Sequence, residues 1–180
     1  MQEHGLKISE LVTLFNLEVL NRGSDYDTAL LTITDVNRPG LQFHSFYDYF
    51  DPRRLQVLGK AEITYLKGLT TEQRRKCFDD LFLYDIPALV ISRGLDCFPE
   101  CLESARVHER TLLRTEETTV EFTSHTIEYL NRVLAPCVTR HGVLLDISGE
   151  EKKKLTVPDL LALFSSASGS TEANDKLLLS

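Results

Sequence analysis

The sequence predicts an α/β fold of three layers, α/β/α, with a mixed, largely parallel sheet. Short apolar and β-branched runs recur along the 180 residues, and segments with the apolar spacing of helices separate them. Hydrophobic residues make up 42% of the chain and charged residues 26%, which is typical of a globular domain with a sizeable core. Strands that alternate with helices favour a parallel sheet covered by helices on both faces.

Five segments before Gly149 carry the signals of helices, and residues 156–164 are a further short candidate. In residues 8–17, apolar side chains recur at i, i+3 and i+4, and Ser9 is the expected N-cap. Thr70 and Gln73 have the spacing of a capping box and predict a helix that runs to about Leu83. Pro99 suits the first turn of another helix. The predicted helices are residues 8–17, 61–66, 70–83, 99–108 and 123–135.

Six runs rich in apolar and β-branched residues predict strands. They are residues 18–20, 29–34, 55–58, 88–92, 112–114 and 142–147. The pair Pro39-Gly40 predicts a tight turn, because proline presets φ and glycine admits a positive φ. After Gly149 a run of charges leads into a stretch rich in Ser, Thr and Gly, the composition of a mobile tail.

Composition argues against two classes of partner. The chain has 20 Lys and Arg against 27 Asp and Glu, a formal charge of −7, whereas domains that bind nucleic acid are usually basic. No apolar run approaches the roughly 18 to 20 residues that span a bilayer. The first residues also lack the basic and apolar regions of a signal peptide. We therefore expect a cytoplasmic protein that contacts neither nucleic acid nor membrane.

Four cysteines leave two interpretations open. Cys97 and Cys101 are four residues apart and could present two soft metal ligands on one face of a helix. Tetrahedral zinc needs a second pair of ligands, and no nearby Cys-x-x-Cys or His-x-x-x-His supplies one. Together with Cys77 and Cys137, they are expected to be free thiols, and no metal site is predicted.

Three motifs of catalytic folds are missing from the 180 residues. There is no G-x-x-x-x-G-K-[ST], no G-x-G-x-x-G and no G-x-S-x-G. Among five histidines, only His141 directly precedes a predicted buried strand. A histidine there is either a polar residue satisfied by backbone groups or a catalytic group, and its spacing alone leaves both open.

Several separate segments, in order, resemble the amino-terminal domain of bacterial HPr kinase/phosphorylase. They are TDVNRPGL at 34–41, YDYF at 47–50, LQVLGK at 55–60 with Glu62, IPALVISRGL at 86–95, LAP at 134–136 and HGVLLDI at 141–147. The likeness covers about residues 7 to 149. Its specificity comes from the number and order of the motifs.

The resemblance implies a fold, a reaction and a division of the chain. Enzymes of this family phosphorylate and dephosphorylate a serine of HPr, the phosphocarrier of the sugar phosphotransferase system, and assemble as hexamers. Their amino-terminal part is similar to the first domain of the Mur ligases, and their second part uses ATP and Mg²⁺ at a P-loop. Residues 1–135 are then the amino-terminal domain, 136–149 the start of the catalytic domain, and 150–180 a divergent tail. His141 matches the histidine that opens the family's catalytic domain, so the resemblance makes it a catalytic candidate.

The same resemblance guides the expected function. After Gly149 the sequence departs from the family and offers no lysine, Mg²⁺ ligand or aspartate of the catalytic part. Phosphoryl transfer depends on such positioned charges, so this chain alone is expected to be inactive and to bind neither ATP nor Mg²⁺. We expect a non-catalytic regulatory domain linked to the phosphotransferase system and to carbon catabolite regulation. Its expected partners are an HPr-type phosphocarrier or a separate kinase half. A truncated or fragmentary bifunctional kinase, and a module that binds a small nucleotide-like ligand, are the alternatives.

Two groups of residues are candidates for binding. Asn37 and Arg38, beside the Pro-Gly turn, and Arg93, beside Gly94, could capture an anion or nucleotide, since the turn resembles the loop by which Mur ligases approach a uridine nucleotide. Alternatively, these arginines order their loops by bonding carboxylates such as Asp35. The aromatic residues at 46, 47, 49 and 50 are either core or, if partly exposed, a surface for self-association.

Overall fold

The computed structural model describes residues 5–135. The strands in this range are β1 (Leu6–Lys7), β2 (Glu18–Asn21), β3 (Leu30–Leu31), β4 (Val36–Asn37), β5 (Leu55–Leu58), β6 (Leu89–Ile91) and β7 (Leu112–Arg114). The helices are α1 (Ile8–Leu14), α2 (Lys60–Lys67), α3 (Thr71–Phe82), α4 (Pro99–Val107) and α5 (Thr119–Val133), and a 3₁₀ turn covers Gln42–His44. None of these helices is long and apolar enough to cross a membrane.

A five-stranded sheet forms the centre of the domain. Its strand order is β2-β7-β6-β5-β4. The four strands from β4 to β7 are parallel, and β2 pairs antiparallel with β7 at one edge. The registers align Val57 with Val90 and Val90 with Leu113. The predicted mixed, largely parallel sheet is confirmed.

Apolar side chains alternate between the two faces of the sheet. Leu58 and Ile91 face the cluster formed with α2, α3 and α4, whereas Val57 and Val90 face the cluster formed with α1 and α5. All residues of β5 and β6 are buried, as expected for parallel strands covered on both sides. The three predicted layers follow from this alternation.

Several predicted boundaries are wrong. Ser9 lies inside α1, whose N-cap is Lys7. In the predicted strand 29–34 only β3 is formed, and it pairs with β1 in a separate two-stranded sheet. Asn37, which the sequence places beside the Pro-Gly turn, belongs to the edge strand β4. Helix α5 begins at Thr119 rather than 123, because Thr118 and Glu121 form a capping box.

Other predictions concern residues outside the described range. They are the strand at 142–147, the catalytic candidate His141, and the segments 136–149 and 150–180. These remain predictions.

Candidate functional site

The carboxyl ends of the parallel strands form the edge where doubly wound α/β sheets bind ligands. The crossovers from β5 to β6 and from β6 to β7 place α2, α3 and α4 against one face. After β7 the chain changes face, and α5 packs against the opposite side of β5. The starts of α2 and α5 therefore meet at this edge, which we call the carboxyl edge.

The centre of the carboxyl edge is Gly59, the N-cap of α2. A Cβ at Gly59 would lie 2.6 Å from Thr119 Oγ1, so this close approach of two helix starts requires glycine. Ser92 Oγ donates a hydrogen bond to the Leu58 carbonyl at 2.9 Å and lies 2.7 Å from Thr119 Oγ1. Because the Ser92 proton is already used, the Thr119 hydroxyl donates to Ser92. This chain of hydroxyls joins β5, β6 and α5.

The candidate Arg38 is a counter-ion of Glu62. Arg38 Nη2 lies 2.8 Å and 2.9 Å from the two carboxylate oxygens of Glu62, and Gly59 N–H donates to Glu62 Oε2 at 2.9 Å. Burial raises the pKa of Glu62, but the hydrogen bonds from Arg38 and from backbone amides outweigh it and lower the pKa overall. The expected partner, Asp35, instead pairs with Arg54 at 3.3 Å.

The candidate Asn37 is part of an amide network between β4 and β5. Its Nδ2 donates to Gln56 Oε1 at 2.7 Å and lies 3.4 Å from Gln42 Oε1. Gln56 is fully buried and donates in turn to the Arg54 carbonyl at 2.7 Å. Asn37 therefore fixes the edge strand to its neighbour through bonds that satisfy buried amides.

The third candidate, Arg93, differs from the other two. Its side chain is exposed and makes no hydrogen bond or ion pair with any side chain of residues 5–135. Its backbone and that of Gly94 have φ of 65° and 56°, two successive residues in the left-handed region. Arg93 N–H donates to the Glu117 carbonyl and Gly94 N–H to the Thr115 carbonyl, both at 2.8 Å. Bonds to the loop after β7 thus hold a bend whose arginine faces solvent.

Acidic groups surround this arginine. The Glu116 carboxylate packs directly on Gly94, where a Cβ would collide with it. Hydrogen bonds from Thr118 lower the pKa of Glu121, and the positive charge of Arg93 adds to this effect. The surroundings of Arg93 at the carboxyl edge therefore have mixed charge.

The structure brings the predicted residues only partly together. Arg38 approaches the Gly59 centre, since its Nη2 would lie 3.3 Å from a Cβ there, whereas Arg93 projects from the loop after β6. Sequence reasoning did not single out Ser92 and Thr119. Glu62 belongs to the segments that carry the family resemblance, and Gly59-x-x-Glu62 also has the spacing of a capping box. Among residues 5–135, no three His, Cys, Asp or Glu side chains converge as a metal site requires.

The aromatic residues at 46–50 divide between core and surface. Tyr47, Phe50 and Tyr84 form a cluster, with the Tyr47 and Tyr84 rings stacked at 4.9 Å. Phe46 is 46% exposed and Tyr49 is fully exposed. The segment therefore contributes side chains both to the packed cluster and to the surface, and self-association remains a prediction.

Comparison with known proteins identifies relatives over most of the chain. The family described as HPr Serine kinase N terminus matches residues 6–130. The HPr kinase/phosphorylase of Alkaliphilus metalliredigens is 42% identical over 144 residues, which cover 80% of this chain and 46% of that protein. The enzyme of the same name from Clostridium perfringens is 40% identical over 145 residues, covering 81% and 47%. The chain spans about half the length of the curated relatives it matches.

A solved structure shares the fold at low sequence identity. It is the crystal structure of the CBS and DRTGG domains of the regulatory region of Clostridium perfringens pyrophosphatase, complexed with the activator diadenosine tetraphosphate. The TM-score is 0.52 at 13% identity, over 90% of this chain and 60% of that one. This likeness concerns the fold alone.

Proposed function

The chain belongs to the HPr serine kinase N-terminus family, and from that premise we propose that residues 5–135 form a non-catalytic regulatory domain that acts by binding. The family ties it to HPr kinase/phosphorylase and hence to control of the sugar phosphotransferase system. The partners we propose are an HPr-type phosphocarrier and a separate kinase half. Free thiols at Cys77, Cys97 and Cys101 support a cytoplasmic location, since reducing compartments keep cysteines unpaired.

One observation carries the non-catalytic role: the Ser92, Thr119 and Glu62 side chains at the carboxyl edge are engaged within the domain. Ser92 and Thr119 direct their hydroxyl protons into the domain, and the Glu62 carboxylate is bound by Arg38 and by the start of α2. Phosphoryl transfer needs groups free to position a phosphate, a cation and a nucleophile. The engaged groups instead support a role in holding strands and helices together.

A phosphoryl-transfer assay tests this proposal. The purified chain is incubated with γ-labelled ATP, Mg²⁺ and HPr, with the full-length Clostridium perfringens enzyme as the positive control. We expect no labelled HPr from the chain alone, and a changed rate of labelling when the chain is added to the full-length enzyme. Labelling of HPr by the chain alone would overturn the non-catalytic role, and an unchanged rate would overturn the regulatory one.

Arg93 supports a second candidate function, the binding of a small anionic ligand. An exposed guanidinium without a carboxylate partner in the described residues is available for charge-assisted hydrogen bonds to phosphate. The distant fold relative is complexed with diadenosine tetraphosphate, which makes nucleotide polyphosphates the probes to use. Arg38 and Asn37 contribute less, because both are already bound within the domain.

Calorimetry tests this second function. Wild type, Arg93→Ala and the control Arg106→Ala are titrated with adenine, uridine and diadenosine polyphosphates. Arg106 is an exposed arginine at the far end of α4. We expect binding by wild type and by the control, and at least tenfold weaker binding by Arg93→Ala. No heat at millimolar ligand, or equal binding by all three proteins, contradicts the proposal.

We propose self-association through the exposed apolar side chains of two segments that ring contacts of Tyr84 with Tyr47 and Phe50 bring together. They are Phe46, Tyr49, Leu83 and Tyr84, which we call the aromatic patch. Oppositely charged side chains near this patch are paired, such as Arg53 with Asp51 and Lys76 with Asp80, so the patch of a second copy meets no uniform charge repulsion.

Sedimentation equilibrium of wild type, Tyr49→Ser and the control Val120→Ser tests the aromatic patch. Val120 is 72% exposed on α5. We expect the dissociation constant of self-association to be at least tenfold higher for Tyr49→Ser than for wild type, and to be unchanged for Val120→Ser. A monomeric wild type, or equal association of the three proteins, excludes this surface.

A further inference from the structure

A cavity lies beside the aromatic patch, between the 3₁₀ turn and helices α2 and α3. Its volume is about 190 Å³, and its walls include Ser45, Tyr65 and Asp80. Ser45 directly precedes Phe46 of the aromatic patch, and Asp80 lies three residues before Leu83 of the same patch. The cavity and the aromatic patch are therefore neighbours on the surface.

The cavity has an apolar inner wall and a polar mouth. Phe43 is buried and Leu69 and Cys77 are half-buried, and these side chains form the inner wall. The buried amide of Gln42 lies in the same wall, and its carbonyl oxygen accepts one bond at 3.4 Å and has a second lone pair. Lys76, at the mouth, has a side chain that is 69% exposed. Since an apolar cavity of roughly 150 Å³ holds benzene, this cavity has room for one aromatic ring.

Tyr49 stands at the tip of a turn. The Phe50 N–H donates to the Tyr47 carbonyl at 3.0 Å and closes this turn, which leaves Asp48 and Tyr49 as its central residues. The rings of Tyr47 and Phe50 contact the Tyr84 ring, with centroids 4.9 Å and 5.2 Å away. The two ends of the turn are thus packed against the domain, whereas Tyr49 is fully exposed.

The backbone of Tyr49 is unusual for a bulky residue. Its φ is 62°, in the left-handed region, where turns favour glycine or asparagine and large side chains are outliers. Burial within residues 5–135 does not offset this strain, because the side chain is fully exposed. A strained, exposed aromatic side chain beside a cavity of ring size points to a contact with another molecule.

Charge favours a second copy of this chain as that molecule. Asp48 is exposed and forms no ion pair with any residue of the range 5–135. Lys76 Nζ donates one bond to Asp80 and has two further N–H donors. A tyrosine and a carboxylate are thus adjacent on the turn, and a cavity and an ammonium group are adjacent on α3, which makes the two surfaces complementary.

The chain length between the two surfaces permits a symmetric contact. Ser45, in the cavity wall, and Tyr49 are four residues apart, so at most about 14 Å separates them. A two-fold axis that passes between them brings each Tyr49 to the cavity of the other copy.

We propose that Tyr49 of one copy inserts its ring into this cavity of a second copy, and that the second copy inserts its own Tyr49 in return. The phenol hydroxyl donates to the Gln42 carbonyl oxygen, and Asp48 pairs with Lys76 across the contact. This inference rests on the self-association proposed above, and it assigns the side chain and the cavity that carry it.

Sedimentation equilibrium of the full 180-residue chain tests the charge pair. Lys76→Glu is expected to raise the dissociation constant at least about fivefold, whereas the control Lys60→Glu, exposed on α2, leaves it unchanged. The charge swap Asp48→Lys/Lys76→Glu is expected to return it to within about threefold of wild type. Tyr49→Gly suits the positive φ and is expected to stay folded while its dissociation constant rises at least about tenfold.

A mixture of two variants tests the reciprocal insertion. Cys77→Leu fills the cavity, and Leu69→Phe is a second variant that does so. Tyr49→Gly and a cavity-filled variant each lose both contacts with themselves, but a mixed pair keeps one, because the intact Tyr49 meets the open cavity. We expect the mixed pair, with one chain fluorescently labelled, to associate more tightly than either variant alone. Circular dichroism melts show which variants are folded at the assay temperature.

The outcomes separate this inference from the self-association on which it rests. A monomeric wild type overturns both. Weaker association of Tyr49→Gly without recovery in the charge swap, or without a gain in the mixed pair, overturns the reciprocal insertion and leaves self-association through the aromatic patch in place. Association of Tyr49→Gly equal to that of wild type overturns the role of Tyr49.

Discussion

Replacement of Gly59 by alanine tests whether the starts of α2 and α5 meet at the carboxyl edge. The new Cβ would stand 2.6 Å from Thr119 Oγ1, whereas ordinary contacts begin at 3.4 Å, so the two groups must separate by about 0.8 Å. The φ of Gly59 is −111°, so backbone strain does not contribute. The effect therefore reports the packing of the two helix starts.

The expected destabilisation by Gly59→Ala follows from the groups that must move apart. Separation of α5 from Gly59 weakens the hydrogen bond between Thr119 and Ser92, which is buried and worth about 1 kcal/mol. Overpacking adds a typical cost of about 1–3 kcal/mol. We expect Gly59→Ala to lower the free energy of unfolding by about 2 kcal/mol, measured by urea denaturation with an unchanged m-value.

Two further variants control this measurement. At Gly40 a Cβ would meet no heavy atom within 4 Å, so Gly40→Ala is expected to change stability by less than about 1 kcal/mol. In the double variant Gly59→Ala/Thr119→Ala the colliding oxygen is removed. Its destabilisation is expected to be at least about 0.5 kcal/mol less than the sum of the single effects. If Gly59→Ala is as stable as Gly40→Ala, the close approach at the carboxyl edge is refuted.

Three other substitutions test the contacts around this edge. The pKa of Glu62 is lowered in the folded state, so the stability that its carboxylate contributes is present above the unfolded pKa of about 4.3 and is lost as the pH falls through the folded pKa. In urea denaturation, Glu62→Gln is expected to be less stable than wild type at pH 7, and the difference in the free energy of unfolding is expected to narrow below about pH 4. A difference that does not depend on pH contradicts this. Thr118→Ala removes the N-cap side chain of α5 and is expected to lower the free energy of unfolding by about 1 kcal/mol. Ser124 is exposed on the same helix, and Ser124→Ala is expected to leave stability unchanged. Equal thermal stability of the two variants argues against the capping role. Gly94→Ala places a Cβ at a positive φ and against the Glu116 carboxylate, so we expect its thermal unfolding to show a loss of at least about 1 kcal/mol in the free energy of unfolding. If the variant is as stable as wild type, the left-handed bend at Gly94 is excluded.

The central strands were predictable because their signals are local. The apolar run at Leu55–Leu58 forms β5 with the predicted bounds, and the capping box at Thr70 and Gln73 marks the start of α3. The start of α5 was placed too late, because Val120 in its first turn is 72% exposed and adds nothing to the apolar pattern. The box formed by Thr118 and Glu121 was the available signal.

Edge pairing and ion pairing could not be predicted locally. Strand β4 has two residues and, among the strands described, pairs only with β5, so the neighbouring Pro-Gly turn dominates its sequence pattern. Arg38 and Glu62 are 24 residues apart and meet only because β4 and α2 lie side by side at the carboxyl edge. The sequence predicts three candidate binding residues. The tertiary contacts distinguish Asn37 and Arg38, which bind Gln56 and Glu62 within the domain, from the exposed Arg93.

Mapping backbone amide shifts by NMR tests most directly whether this domain acts by binding an anionic ligand at its carboxyl edge. The ¹⁵N-labelled chain is titrated with nucleotide polyphosphates, including diadenosine tetraphosphate. We expect saturable shifts concentrated at Ser92, Arg93, Gly94 and the loop after β7, and their loss in Arg93→Ala. Shifts confined to other surfaces, or no shift at millimolar ligand, would contradict this mode of action.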